Sequence, residues 1–384
     1  MTAAGSRRAD KPANNPTFST YVCSKIDSMK KLLLPIIAIL FYTSCINEAA
    51  PPREKSPNYA NGRVNQILVI ADSSVWKSMP GDTFFYYFSA PYLLLPQPEP
   101  IFDIIHLTPE QLAKQTVKKE FRTILFLADM NDENSVVSAL VKADVGEQKI
   151  EEVKKDKGYS TSIARDKWAK AQLLFYIYGF GEEKLAENIA RNFPPIGRHI
   201  NEEDMSIVKA TAYQAGENYD LEAEVKAKFG LDLKIPGDFR KAIFNEKTNT
   251  LWLRRQSRDI EAGILIHKRP YKSKEQLTKA GIKAIRNEVG KLVSTHIANT
   301  YMRINDEDLP LFVENLTINA RYTVQAKGIW DIVNDFMGGP FVSHLMVDPD
   351  KGELVFVDGF VYAPAEEKRN FMQEMEVIIS TANF

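Results

Sequence analysis

Four short apolar runs, residues 67–71 (ILVIA), 101–107 (IFDIIHL), 123–128 (TILFLA) and 172–178 (QLLFYIY), constrain this chain more than any motif in it. Each has the length and continuous apolarity of a strand buried on both faces. Helical stretches separate them. Thr108-Pro109-Glu110-Gln111 opens one helix with Thr as N-cap, Pro at the first position and Gln closing a capping box. Leu185, Ile189 and Phe193 fall on one face of another. Strands alternating with helices specify an α/β fold with a mostly parallel sheet covered by helices. Residues 146–170, rich in Lys and Glu, read as a solvated helix, and residues 201–230 as a helical linker.

Beyond Gly230 the rhythm changes to strands in series at 231–235, 240–245, 250–256 and 263–271. A long helix opened by Ser273 and Gln276 follows, carrying Leu277, Gly281, Ile285, Val289 and Leu292 on one face. More strands run from about Tyr301 to Tyr362, with a hairpin turn at Asp348-Pro349-Asp350-Lys351-Gly352. A last helix has Phe371, Met375, Ile378 and Ile379 as its buried stripe. This second half is α+β, an antiparallel sheet with two helices to cover it. The expected organisation is a leader over 1–44, a tether over 45–62, an α/β domain over 63–200, the linker over 201–230 and an α+β domain over 231–384.

The leader carries an export signal. Lys30 and Lys31 precede an 11-residue apolar run, residues 32–42, which is short of the roughly 20 residues needed to span a bilayer. Tyr42-Thr43-Ser44-Cys45 then looks like a lipobox, with Cys45 acylated and made the new N-terminus, although Tyr42 stands where Leu is more usual. An ordinary signal peptide is the alternative. Translation is expected to begin at Met29. Cys23 lies before the signal and Cys45 is the lipid site, so the folded body has no thiol for a disulfide, a nucleophile or a metal. Residues 1–44 carry a net +4 and leave −5 for the rest, which gives no electrostatic footprint for nucleic acid.

No motif fixes a reaction. Asp72 and Asp129 each follow a buried strand, where a parallel sheet binds its ligands, and could ligate a divalent cation; helix capping is the preferred reading. Ser74-Val75-Trp76-Lys77 fits SxxK but recurs at 28–31 and 206–209 without its companion motifs, so chance explains it. The five histidines, His106, His199, His267, His296 and His344, form no local metal pair. Arg254, Arg255, Arg258, His267, Lys268 and Arg269 form the densest basic surface, fit for an anionic glycan or lipid head group or an acidic partner; a solvated hairpin whose arginines pair with Asp259 and Glu261 is the preferred reading. Gly338 and Gly339 are expected in a loop between strands, as a corner or shaped around a ligand. Asp358 either faces a pocket or, with Gly359, marks a bulge, which is preferred. In residues 90–100 (APYLLLPQPEP) prolines hold three leucines extended, to cover the protein's own sheet or to dock into a partner.

Three segments carry a resemblance: Trp252-Leu253-Arg254-Arg255, residues 336–341 (FMGGPF) and residues 359–364 (GFVYAP), in that order behind a lipoprotein signal. Together they resemble a family of Bacteroidota envelope lipoproteins catalogued only as a domain of unknown function, family 4837. That resemblance implies a location and a shared architecture but no activity, cofactor or catalytic residue. More distantly, the order of the second half resembles the sandwich of the photosystem PsbP and Mog1-like proteins, which is likeness of fold alone. The expectation is a periplasm-facing envelope lipoprotein, anchored to the membrane through Cys45, that binds or scaffolds without a cofactor. The rival is an envelope hydrolase acting on glycan or lipid.

Overall fold

The computed structural model describes residues 58–383 apart from 156, 157, 159, 258, 259 and 349. The export signal, Cys23 and Cys45 therefore lie outside the described residues, as do Arg258, Asp259 and Pro349.

The first half is β1 (Gln66–Ala71), α1 (Ser73–Trp76), α2 (Met79–Phe88), β2 (Asp103–Leu107), α3 (Pro109–Lys114), β3 (Thr123–Asp129), α4 (Val136–Val145), α5 (Glu147–Lys154), β4 (Thr161–Arg165), β5 (Leu173–Gly179) and α6 (Glu182–Ala212). Its five strands form one sheet in the order β2-β1-β3-β5-β4, parallel except for β4. The unbroken apolar runs have a direct cause. Alternate residues feed two cores: Leu68, Phe126 and Tyr176 pack toward α4 and α5, while Val69, Leu127 and Ile177 pack toward α2 and α6. Among the expected strands, β2 differs, because it starts two residues late and lies half-buried at the sheet edge. The solvated helix expected over 146–170 is also corrected. Only Glu147–Lys154 is helical, and Thr161–Arg165 is the antiparallel edge strand β4, whose polar, exposed pattern carries no apolar alternation to announce it.

The second half is α7 (Tyr219–Phe229), β6 (Arg240–Asn245), β7 (Thr250–Ser257), β8 (Ile260–Pro270), α8 (Lys279–Gly290), β9 (Tyr301–Asn305), β10 (Phe312–Ile318), β11 (Arg321–Val333), β12 (Gly338–Asp348), β13 (Glu353–Tyr362) and α9 (Arg369–Ile379). The antiparallel sheet runs β10-β11-β12-β13-β8-β7-β6, and β9 extends it beside the far end of β11. α7 and α9 cover one face through Val225, Phe229, Met375 and Ile378; α8 covers the other through Ile282, Ile285 and Val289.

Three sequence expectations change here. Residues 231–235 alternate correctly, since Leu231, Leu233 and Ile235 are buried, but the segment makes only an isolated bridge, Asp232 to Asn383, and no strand. Ser273 and Gln276 close their capping box on a single 3₁₀ turn, and the helix proper starts afresh from Thr278, whose side chain caps Gly281. Asp358 and Gly359 keep regular register with Ser343, Val342, Leu265 and Ile264, so there is no bulge. Glycine at 359 eases the close approach of α9, since a Cβ there would meet Met375 Cβ at 3.2 Å. Among the described residues no helix is long and apolar enough to cross a membrane.

Candidate functional site

The carboxyl ends of β1 and β3 border the crevice where the strand order reverses, the usual ligand position in such a sheet. Here the chain's own groups occupy both aspartates. Asp72 stands at the N-cap of α1 without capping it, and its carboxylate instead accepts a hydrogen bond from Ser135 Oγ. Asp129 Oδ1 accepts from the backbone N–H groups of Asn131 (3.0 Å) and Gly181 (2.8 Å), the latter being the residue that opens α6. Ser135, not Asp129, caps α4. Beside them His106 Nε2 bonds the Ala71 carbonyl at 3.1 Å and its ring stacks on Trp76 at 4.3 Å, with burial holding its pKa below the ordinary value. Among the described residues no group of three or more His, Cys, Asp or Glu is placed to hold a metal ion.

Strand alternation divides the expected basic surface between two faces of the second sheet. Arg254, His267 and Arg269 point to the α8 side; Arg255 points to the α9 side. Each arginine has an acidic partner. Arg254 Nη2 donates to Glu261 at 2.8 Å, Arg255 Nη2 to Glu374 at 2.9 Å, and Arg269 Nη2 grips both oxygens of Glu288 at 2.8 and 2.9 Å. His267 is buried, with Nδ1 2.9 Å from Thr250 Oγ1, and burial, reinforced by Arg269, lowers its pKa to about 4. It is a neutral packed histidine.

Asp358 faces α8 and has no solvent exposure. Arg286, equally buried, meets it with Nε at 3.0 Å and Nη2 at 3.1 Å, while Ser343 Oγ donates to Oδ1 at 2.5 Å. The guanidinium carbon lies 3.5 Å from the centre of the Phe341 ring. Burial pulls the Arg286 pKa down and the Asp358 charge opposes that shift. The alternation that put Asp358 on this face was legible; its partner was not. The available signal was Arg286 itself, sitting on the apolar stripe Ile282, Ile285, Val289 of an amphipathic helix.

Gly338 and Gly339 lie within β12, paired with Asp331 and Trp330, not in the loop expected of them. A Cβ at 339 would fall 2.0 Å from the Val361 carbonyl oxygen and 3.3 Å from Trp330 Nε1, so glycine lets the strands and the indole close up. That indole forms part of an open cavity of about 280 Å³ on the α8 side, lined also by Trp252, Phe360, Tyr362, Arg254 and Glu261 and bordered by the loop residues Thr295 and His296. Trp330 and Phe360 meet edge to face at 5.5 Å, giving the cavity an aromatic floor. Trp252 Nε1 is buried with no partner among the described residues. The cavity joins two segments singled out in the sequence, 252–255 and 359–364, across β8, which lies between their strands and contributes Glu261.

Residues 218–381 match the family model of a domain of unknown function, DUF4837, and residues 60–213 match that of another, DUF8532. No curated protein matches the chain. Among solved structures it is similar to LpqN of Mycobacterium tuberculosis, described as involved in cell envelope biogenesis. The two share 12% identity over 39% of this chain and 79% of that one, at a TM-score of 0.25, a likeness that carries no argument about function.

Proposed function

We propose, for a chain whose residues 218–381 match the DUF4837 family model, a function of binding rather than catalysis, performed at the bacterial envelope from a lipid anchor on Cys45. The anchor reading rests on the charge, apolar run and cysteine of residues 30–45. The binding reading rests on the cavity at Trp252 and Trp330. An aromatic floor with a few convergent polar groups is the usual character of a small-ligand site, and 280 Å³ lies just below the roughly 300–1,000 Å³ of drug-sized sites, which suits a small ligand. Arg254 is neutralised by Glu261, which removes the reason to expect an anion. The pair offers donors and acceptors together over apolar rings, the chemistry of a neutral sugar unit.

Glycoside hydrolysis would call for two carboxylates converging on an accessible cavity. Asp358 is sealed under Arg286, and Asp72 and Asp129 already accept hydrogen bonds from the chain. Titration calorimetry with maltose and chitobiose tests the sugar reading. Saturable binding to the wild type that weakens about tenfold in Arg254→Met is expected; no heat with either sugar, or equal binding by the variant, would sink it. Incorporation of labelled palmitate into the wild type but not into Cys45→Ala tests the anchor separately.

A further inference from the structure

Residues 90–101 form a loop whose ends are tied together, Tyr92 N–H to the Glu99 carbonyl at 2.7 Å and Ile101 N–H to the Ala90 carbonyl at 2.8 Å. Its three leucines have three different fates. Leu95 is buried in the core beneath the second sheet, as sequence alone would prefer. Leu94 is held at φ 74°, an uncommon conformation for a residue with a branched side chain, and Leu93 stays 69% exposed. Between this loop and β10–β11 lies a groove of about 430 Å³, with Leu93, Leu94, Ile101 and Phe312 on its apolar side and Gln325 and Lys327 on its polar side. It lies across the sheet from the Trp252 cavity, because Gln325 and Lys327 alternate with Val324 and Ala326, which pack toward α8.

We infer that this groove binds the single acyl chain of a lipid with an uncharged polar head, such as a monoacylglycerol. Its volume is close to three times that of the apolar cavity of about 150 Å³ that takes up benzene, which suits one chain and not two. Phe312, 47% exposed, continues the apolar strip beside Leu93, so the groove is edged by side chains that no core residue covers. The charges select the head. Lys327 Nζ is already bound to Glu376 at 2.8 Å, Tyr92 Oη donates to the same carboxylate at 3.2 Å, and Glu314 stands across from Gln325 on the same face. One lysine faced by two glutamates disfavours a fatty-acid carboxylate and leaves hydrogen bonding for hydroxyls.

Titration calorimetry on the soluble chain with 1-monolauroylglycerol, below its self-association concentration, tests the inference. One saturable site is expected, with laurate at least about tenfold weaker. Leu93→Glu and Phe312→Glu replace exposed side chains, so they keep the melting temperature, and each weakens monolauroylglycerol about tenfold or more. Tyr219→Glu, which replaces an equally exposed aromatic on α7, leaves binding unchanged. Absence of a saturable site, laurate binding as tightly, or equal loss in Tyr219→Glu overturns the inference. So does concentration-dependent dimerisation abolished by Phe312→Glu without lipid binding, which would make the strip an interface between copies.

Discussion

Arg286 and Asp358 show how a charged residue can be structural without being a site. Both side chains are wholly buried, and the carboxylate is satisfied by two guanidinium nitrogens and the Ser343 hydroxyl. Such a pair contributes little net stability relative to apolar residues of similar volume, because desolvation offsets the attraction. Removing one partner is different, since it strands the other charge in the core. Asp358→Leu or Arg286→Met alone is therefore expected to lower unfolding free energy by about 3–5 kcal/mol, and the double variant to recover most of that loss in urea titrations. A double variant as unstable as the sum of the two would show that the residues do not act as a pair. At this scale the sequence discloses which face of a strand a residue takes, because period two fixes it. It does not disclose what lies opposite. Asp358 and Arg286 are 72 residues apart, and of the arginine pairings only Arg254 with Glu261 is local enough to be read from the sequence; Glu374 and Glu288 reach Arg255 and Arg269 from helices.

Helix α9 marks the same limit for whole elements. The capping box of α3 is local, Thr108 to Gln111, and could be read directly. α9 has no side-chain cap of its own. Its first amides, Lys368 N and Arg369 N, are capped at 2.7 and 2.8 Å by the carboxylate of Glu99, some 270 residues earlier. A carboxylate at a helix N-terminus gains from the dipole as well as from two hydrogen bonds. Arg369 returns the contact, donating to the Pro100 carbonyl and to Asp103 Oδ2 at 2.9 Å. This cross-clamp fastens the 90–101 loop, the wall of the lipid groove, to the helix that covers the second sheet. Glu99→Ala should cost about 1–3 kcal/mol and raise amide exchange at the start of α9 and in the loop together. Exchange that rises in only one of them would separate the two elements. The central strands of the first sheet were legible because burial on both faces leaves continuous apolar runs; β4 and the edge strand β2 were less so, because an exposed edge imposes no such pattern.

Across the molecule the two cavities escape sequence reading for one reason: their walls come from segments brought together only by the finished fold, residues 91–101 with 312–327 in one case and 252–261 with 293–296 and 330–362 in the other. The buried histidines give that fold a measurable signature. His267 lies on the α8 face of the second sheet, and His344 on the α9 face beside Gln325, Nε2 to Nε2 at 2.9 Å. Burial lowers the pKa of each from the ordinary 6.5 to about 4, aided at His267 by Arg269 and at His344 by Lys327. Between pH 6.5 and 4 the unfolded chain therefore takes up protons that the folded chain refuses, so stability falls as pH falls, by at most roughly 3 kcal/mol per histidine. Asp204 works in the opposite sense. Burial raises its pKa above the ordinary 3.8, against the pull of the Asn65 amide and Arg122, so over the span between those two values acidification favours the folded state. These two histidines, joined by His106, whose pKa burial also lowers, outweigh the one raised carboxylate, and the melting temperature should fall from pH 7 to pH 4. Replacing both histidines with Gln, which retains hydrogen-bonding capacity without the charge, should flatten that slope, leaving the smaller part due to His106. An unchanged slope in the double variant would place the acid sensitivity elsewhere and refute the assignment.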